Sequence, residues 1–127
     1  MDLKITSIHD HGDDKKEYVF LHVLADCNIG EYLMADSTFG ADGTPSNKVR
    51  HVFFFPKKTV KKGEYISLWT QPGKDTTVTD ADGDTIHRFY WGLKESVWND
   101  DGDCAYLLKS PYSQRSQFRA GKAKKTA

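Results

Sequence analysis

The chain has 127 residues, 38% hydrophobic and 13% aromatic, which is enough apolar material for one compact domain and too little length for two. Three Trp, six Tyr and seven Phe exclude a disordered polymer, and the longest apolar runs fall far short of the ~20 residues of a membrane-spanning helix. The net charge is zero but segregated: all 18 acids precede residue 104, while six basic residues and no acid occupy 109–127, leaving −6 on the body and +6 on the tail.

The N-terminus has no basic segment leading into an apolar one, so the expectation is a cytoplasmic protein with no membrane span. The first predicted strand, 3–8, alternates apolar and polar residues. The second, 18–24, is apolar at nearly every position and reads as a strand covered on both faces, with Val19, Leu21 and Val23 as one inward set. Further strands are predicted at 32–35, 49–55, 65–69, 85–91, 96–99 and 104–109. From Gly30 onward glycines fall near every tenth residue over much of the chain, a spacing suited to a strand of five or six residues plus a turn. Asp42-Gly43, Asp82-Gly83 and Asp101-Gly102 are hairpin dipeptides, because both residue types tolerate positive φ. Pro56 closes the Phe run, and the polar stretch 37–47 reads as a mobile loop. No window of 11 or more residues carries a helical apolar repeat. The fold expected is therefore all-β, a sandwich or a barrel with almost no helix, over residues 1–110, followed by a basic, flexible tail over 111–127.

Taken in order, these segments resemble the lamin-tail domain, which implies an immunoglobulin-like sandwich of about 7–9 antiparallel strands. The resemblance covers about residues 3–110. It rests on Tyr18-Val19-x-Leu21; on Tyr32-x-Met34-x-Asp36, where the family favours Trp, Leu and Asp; on Phe53-x-Phe55-Pro56; and on Val60-x-x-Gly63-Glu64-Tyr65-Ile66 leading to Trp69-Thr70. Its most specific parts are Arg88-Phe89-Tyr90-Trp91-Gly92 and Val97-Trp98-Asn99-x-x-Gly102-Asp103-x-Ala105-x-Leu107. Where the family often has an acid and an Asn, this chain has Phe20 and Val23, which reads as a thicker core or, should Phe20 lie on an exposed face, as part of an association surface. The resemblance implies a non-enzymatic binding module, most simply one that contacts another protein. The signature itself reads as folding chemistry: Trp98 supplies a large apolar body and an indole N–H that seeks an acceptor, and 99–103 a tight turn.

Candidate chemistry is sparse. Asp80, Asp82 and Asp84 offer alternate carboxylates, so calcium is the one ion the sequence suggests. The EF-hand pattern nevertheless fails, because Thr85 and Trp91 stand where Gly and Glu belong, and an acidic hairpin turn accounts for the same residues. His9 and His11 share alternate positions with no evident further ligand and read as solvated. Cys27 and Cys104 read as free thiols. Nucleophile elbows, phosphate-binding loops and zinc-protease motifs are absent from the sequence. Lys57, Lys58, Lys61 and Lys62, together with Arg115, Arg119, Lys122, Lys124 and Lys125 of the tail, form the alternative site: a weak, salt-sensitive contact with nucleic acid or an anionic surface.

Overall fold

The fold is known from a computed structural model, which describes residues 1–39, 45–98 and 103–110, with 38, 39 and 45–49 described by their backbone alone. The fold is all-β and sandwich-like. Its strands are β1 (Leu3–His9), β2 (Tyr18–Val23), β3 (Cys27–Asn28), β4 (Tyr32–Phe39), β5 (Pro45–Phe54), β6 (Thr59–Val60), β7 (Tyr65–Trp69), β8 (Thr76–Thr79), β9 (Thr85–Tyr90) and β10 (Cys104–Lys109). They form a five-stranded sheet ordered β1-β2-β7-β9-β8, a three-stranded sheet ordered β10-β4-β5 and a two-stranded ladder of β3 and β6. The helical content among the described residues is one 3-10 turn, Ile29–Glu31, whose start is capped by the Asn28 side chain, Oδ1 accepting from Gly30 N–H at 2.9 Å.

Period-two alternation explains the core. Val19, Leu21 and Val23 are buried on one face of β2, as their spacing predicts, beside Leu3 of β1, Ile66 and Leu68 of β7 and Phe89 of β9. From the other sheet Tyr32 and Met34 face them, backed by Phe53, Ala105 and Leu107. Ile29, Val60, Val97 and Trp98 belong to the same cluster.

Several expectations are corrected. Strand β2 is fully buried on one face only, because Tyr18, Phe20 and His22 on the other are half-buried. They belong to an aromatic layer on the outer face, in one row of which His9, Tyr18, Trp69 and Tyr90 lie in register on β1, β2, β7 and β9. Their ring centroids are 4.5, 4.3 and 6.4 Å apart in stacked planes, so the rings cover one another instead of a second layer. Gly73 closes the row, since a Cβ there would meet the Tyr90 ring at 2.4 Å. Phe20 accordingly lies in this half-exposed layer and not in a thicker core.

The pairing is not wholly antiparallel. Strands β7 and β9 run parallel, because the chain leaves β7, makes the edge strand β8 and returns through the Asp82-Gly83 turn into the gap between them. Gly83 takes the positive φ (83°) the dipeptide predicts. Residues 96–98 are not a strand: Val97 and Trp98 donate their N–H groups to the Glu17 carboxylate instead of to a ladder. The expected loop 37–47 is shortened from both sides by β4 and β5, which reach Phe39 and Pro45. The Asp42-Gly43 and Asp101-Gly102 turns and the tail 111–127 lie outside the described residues.

Candidate functional site

The acidic turn between β8 and β9 is built by its own first carboxylate. Asp80 Oδ1 accepts from the N–H groups of Asp82 and Asp84, each at 2.9 Å, and Gly83 N–H donates to the Asp80 carbonyl at 3.1 Å. This places one carboxylate oxygen from each of Asp80, Asp82 and Asp84 within 4.8 Å of the others. Asp80 and Asp82 are exposed and Asp84 is half-buried. The group can meet a hard cation with oxygen ligands, and as a turn it already uses Asp80 as a scaffold.

Lys57 and Lys58 precede β6, and Lys61 and Lys62 follow it. Lys58 Nζ donates to Thr77 Oγ1 at 2.6 Å and lies 5.8 Å from the Phe89 ring centroid. Lys61 Nζ stands 3.7 Å from Asp26 on the surface, and the Lys62 amide donates to Asp26 Oδ1 at 2.8 Å. Two of the four cations are thus drawn to neighbours, while Lys57 and Lys62 remain exposed. Arg115, Arg119, Lys122, Lys124 and Lys125 lie outside the described residues.

Sequence reasoning missed the chain of polar groups behind Lys58. His87 is buried on the inward side of β9, with Nδ1 3.3 Å from Thr77 Oγ1 and Nε2 2.9 Å from Glu64 Oε1. Burial pushes the Glu64 carboxyl up, but hydrogen bonds from His87 and from the Lys61 N–H outweigh it and hold the group below its ordinary value. The arrangement fastens the edge strand β8 to β7 and to the lysine loop. The available signal was parity: His87 is two residues from buried Phe89 and shares its face. His9 and His11 behave differently. His9 stacks on Tyr18 and shares a hydrogen bond with Ser7 Oγ, while His11 is exposed in the turn.

A second feature missed by sequence is the outer face of the three-stranded sheet. Leu108, Leu33 and Phe54 pair in register across β10, β4 and β5, and Tyr106, Ala35 and Val52 form the next row. Phe54 is 73% exposed, Leu108 47% and Val52 42%. These are three of the five large apolar residues the described surface exposes, and here they are neighbours. Phe53 and Phe55 turn inward toward Trp91 and Phe89, so the apolar run 52–55 is split by alternation between core and surface.

No protein-family model matches the chain, and no curated protein sequence matches it.

Proposed function

We propose that this chain is a non-enzymatic interaction module, similar to a lamin-tail domain, that docks a protein partner on the outer face of the β10-β4-β5 sheet. The observation that carries the reading is the pair of in-register apolar rows in which Phe54, Val52 and Leu108 are exposed, with Leu33 and Tyr106 half-buried and Ala35 buried between them. Val19, Leu21, Tyr32, Phe89 and Trp98, residues on which the resemblance rests, lie in the core.

The test is cross-linking capture with the unaltered chain and with Phe54→Lys, at matched melting temperature. A partner held by the unaltered chain and lost from the variant supports the reading; the same proteins captured by both overturn it. If polyanion binding is found instead, insensitive to Phe54→Lys and falling steeply with salt, the basic residues carry the function.

A second reading, weak calcium binding at the β8–β9 turn, is favoured by the convergence of Asp80, Asp82 and Asp84. Amide shifts confined to 80–84 at millimolar calcium would support it; an unchanged spectrum would leave a turn and nothing more.

A further inference from the structure

We propose that Lys58 is a site of covalent acylation, an amine that an activated acyl donor such as an acyl phosphate modifies ahead of its neighbours because a built-in relay takes up its proton. The relay is the chain of Lys58, Thr77, His87 and Glu64, and its two ends fix the direction of every bond in it. The Lys58 ammonium can only donate, so Thr77 Oγ1 accepts at 2.6 Å. Glu64, held ionised by a carboxyl below its ordinary value, can only accept, so His87 Nε2 carries the proton of the 2.9 Å bond between them. In the neutral ring Nδ1 is then the lone-pair nitrogen, 3.3 Å from the hydroxyl. Thr77, its oxygen already accepting, has its own proton free to give there.

The Lys58 ammonium gives one proton to Thr77 Oγ1 while the Thr77 proton passes to His87 Nδ1, leaving a neutral amine and an imidazolium that faces the Glu64 carboxylate. The Nζ lone pair then attacks the acyl carbon, and the bond from that carbon to the phosphate oxygen breaks. The phosphate leaves with the electron pair and a second proton from Nζ, as hydrogenphosphate. His87 returns its proton to solvent, and an amide stands where the ammonium was. The amine is held at the mouth of the relay by its own backbone: the Lys58 carbonyl accepts from Ile29 N–H at 2.9 Å, and its N–H donates to Asn28 Oδ1 at 3.2 Å. Of the four loop lysines it is the half-buried one, with the Phe89 ring centroid 5.8 Å from Nζ. Lys61 faces Asp26, and Lys57 and Lys62 are exposed. Acylation cancels one of the four loop charges and replaces the ammonium that ties the loop to the edge strand β8.

The experiment exposes the full chain to acetyl phosphate at neutral pH and reads the acetylation rates of Lys57, Lys58, Lys61 and Lys62 by peptide mass mapping. Thr77→Val, Thr77→Ser and His87→Gln are run beside the unaltered chain. Thr77 is exposed on an edge strand and valine keeps its branched shape, so Thr77→Val decides the matter even if the buried His87→Gln change unfolds the domain. The expected result is acetylation of Lys58 more than about tenfold faster than of Lys57 and Lys62. That advantage should vanish in Thr77→Val and in folded His87→Gln and return in Thr77→Ser, which restores the hydroxyl, with the rates at Lys57 and Lys62 unchanged throughout. Lys58 reacting no faster than its neighbours overturns the proposal. An advantage that survives Thr77→Val overturns it too, because the relay would then play no part. An ester on Thr77 in place of an amide on Lys58 does the same, by making the hydroxyl the nucleophile.

Discussion

Glu17 and Asp36 are both 0% exposed, and they are treated in opposite ways. Glu17, just before β2, accepts from five donors: Gly12 N–H at 3.1 Å, Thr70 Oγ1 at 2.5 Å, Ser96 Oγ at 2.7 Å, Val97 N–H at 2.9 Å and Trp98 N–H at 3.3 Å. Asp36, on β4, accepts from His51 N–H at 2.7 Å and sits 3.0 Å from His51 Nδ1, both through Oδ1, while Oδ2 has no partner among the described residues. A buried charge is tolerated when its lone pairs are used, and it then becomes a joint between segments. Glu17 joins the β1–β2 turn, the end of β7 and the segment leading toward β10. Asp36 fixes a single imidazole and keeps one oxygen idle.

Truncating the joint should give the largest effect. Glu17→Ala leaves the buried amides of Val97 and Trp98 without an acceptor, and at about 1–3 kcal/mol for each unsatisfied group a loss of roughly 3–5 kcal/mol is expected in urea unfolding. A sharper version makes the same chemical change at both acids. Glu17→Gln turns an amide donor toward groups that are themselves donors and should cost roughly 2–3 kcal/mol. Asp36→Asn can place its NH2 where Oδ2 accepts nothing, keep Oδ1 on His51, and stay within about 1 kcal/mol of the unaltered chain. Equal losses at the two positions would mean that the donors around Glu17 do not act together.

Trp98 sits between these cases. Its backbone N–H serves Glu17 while its indole Nε1, buried in the core, has no partner among the described residues, where the sequence anticipates an acceptor for it. Trp98→Ala should therefore cost about 3–5 kcal/mol through the lost ring. Trp98→Phe also removes the idle N–H and should cost less than about half of that. If Phe proves as damaging as Ala, the indole N–H has an acceptor after all.

What could be read from the sequence was local. The inward set Val19, Leu21 and Val23, the Asp82-Gly83 turn and the burial of Trp98 follow from alternation, turn chemistry and side-chain size, all contained within a few residues. What could not be read depends on distant segments. Glu17 meets Thr70, Val97 and Trp98 at separations of 53, 80 and 81 residues, and that meeting draws 96–98 out of the strand its composition suggests. The parallel β7–β9 pair escaped for the same reason, because a hairpin signal fixes β8 beside β9 and says nothing about which strand lies on the other side. The exposed apolar face was hidden inside one Phe run, where neighbouring residues point to opposite sides of the sheet.

The smallest effect concerns a surface tie between the chain start and β10. Asp2 Oδ2 accepts from Tyr32 Oη at 2.7 Å and from Lys109 Nζ at 3.0 Å, and these two bonds hold the Asp2 carboxyl below its ordinary value. Burial, then the bond to Asp2, raises Tyr32, and the Asp2 bond raises Lys109. A depressed carboxyl stabilises the fold above its unfolded pKa and loses that contribution as pH falls through the lowered value. A raised tyrosine or lysine stabilises below its unfolded pKa and loses the contribution as pH rises through the raised value. Melting temperature should therefore be level between about pH 5 and 9, declining below about 4 and above about 10. Asp2→Asn should make both declines shallower, with Glu64 retaining part of the acid side. Parallel profiles for the two proteins would show that the tie between Asp2, Tyr32 and Lys109 does not persist in solution.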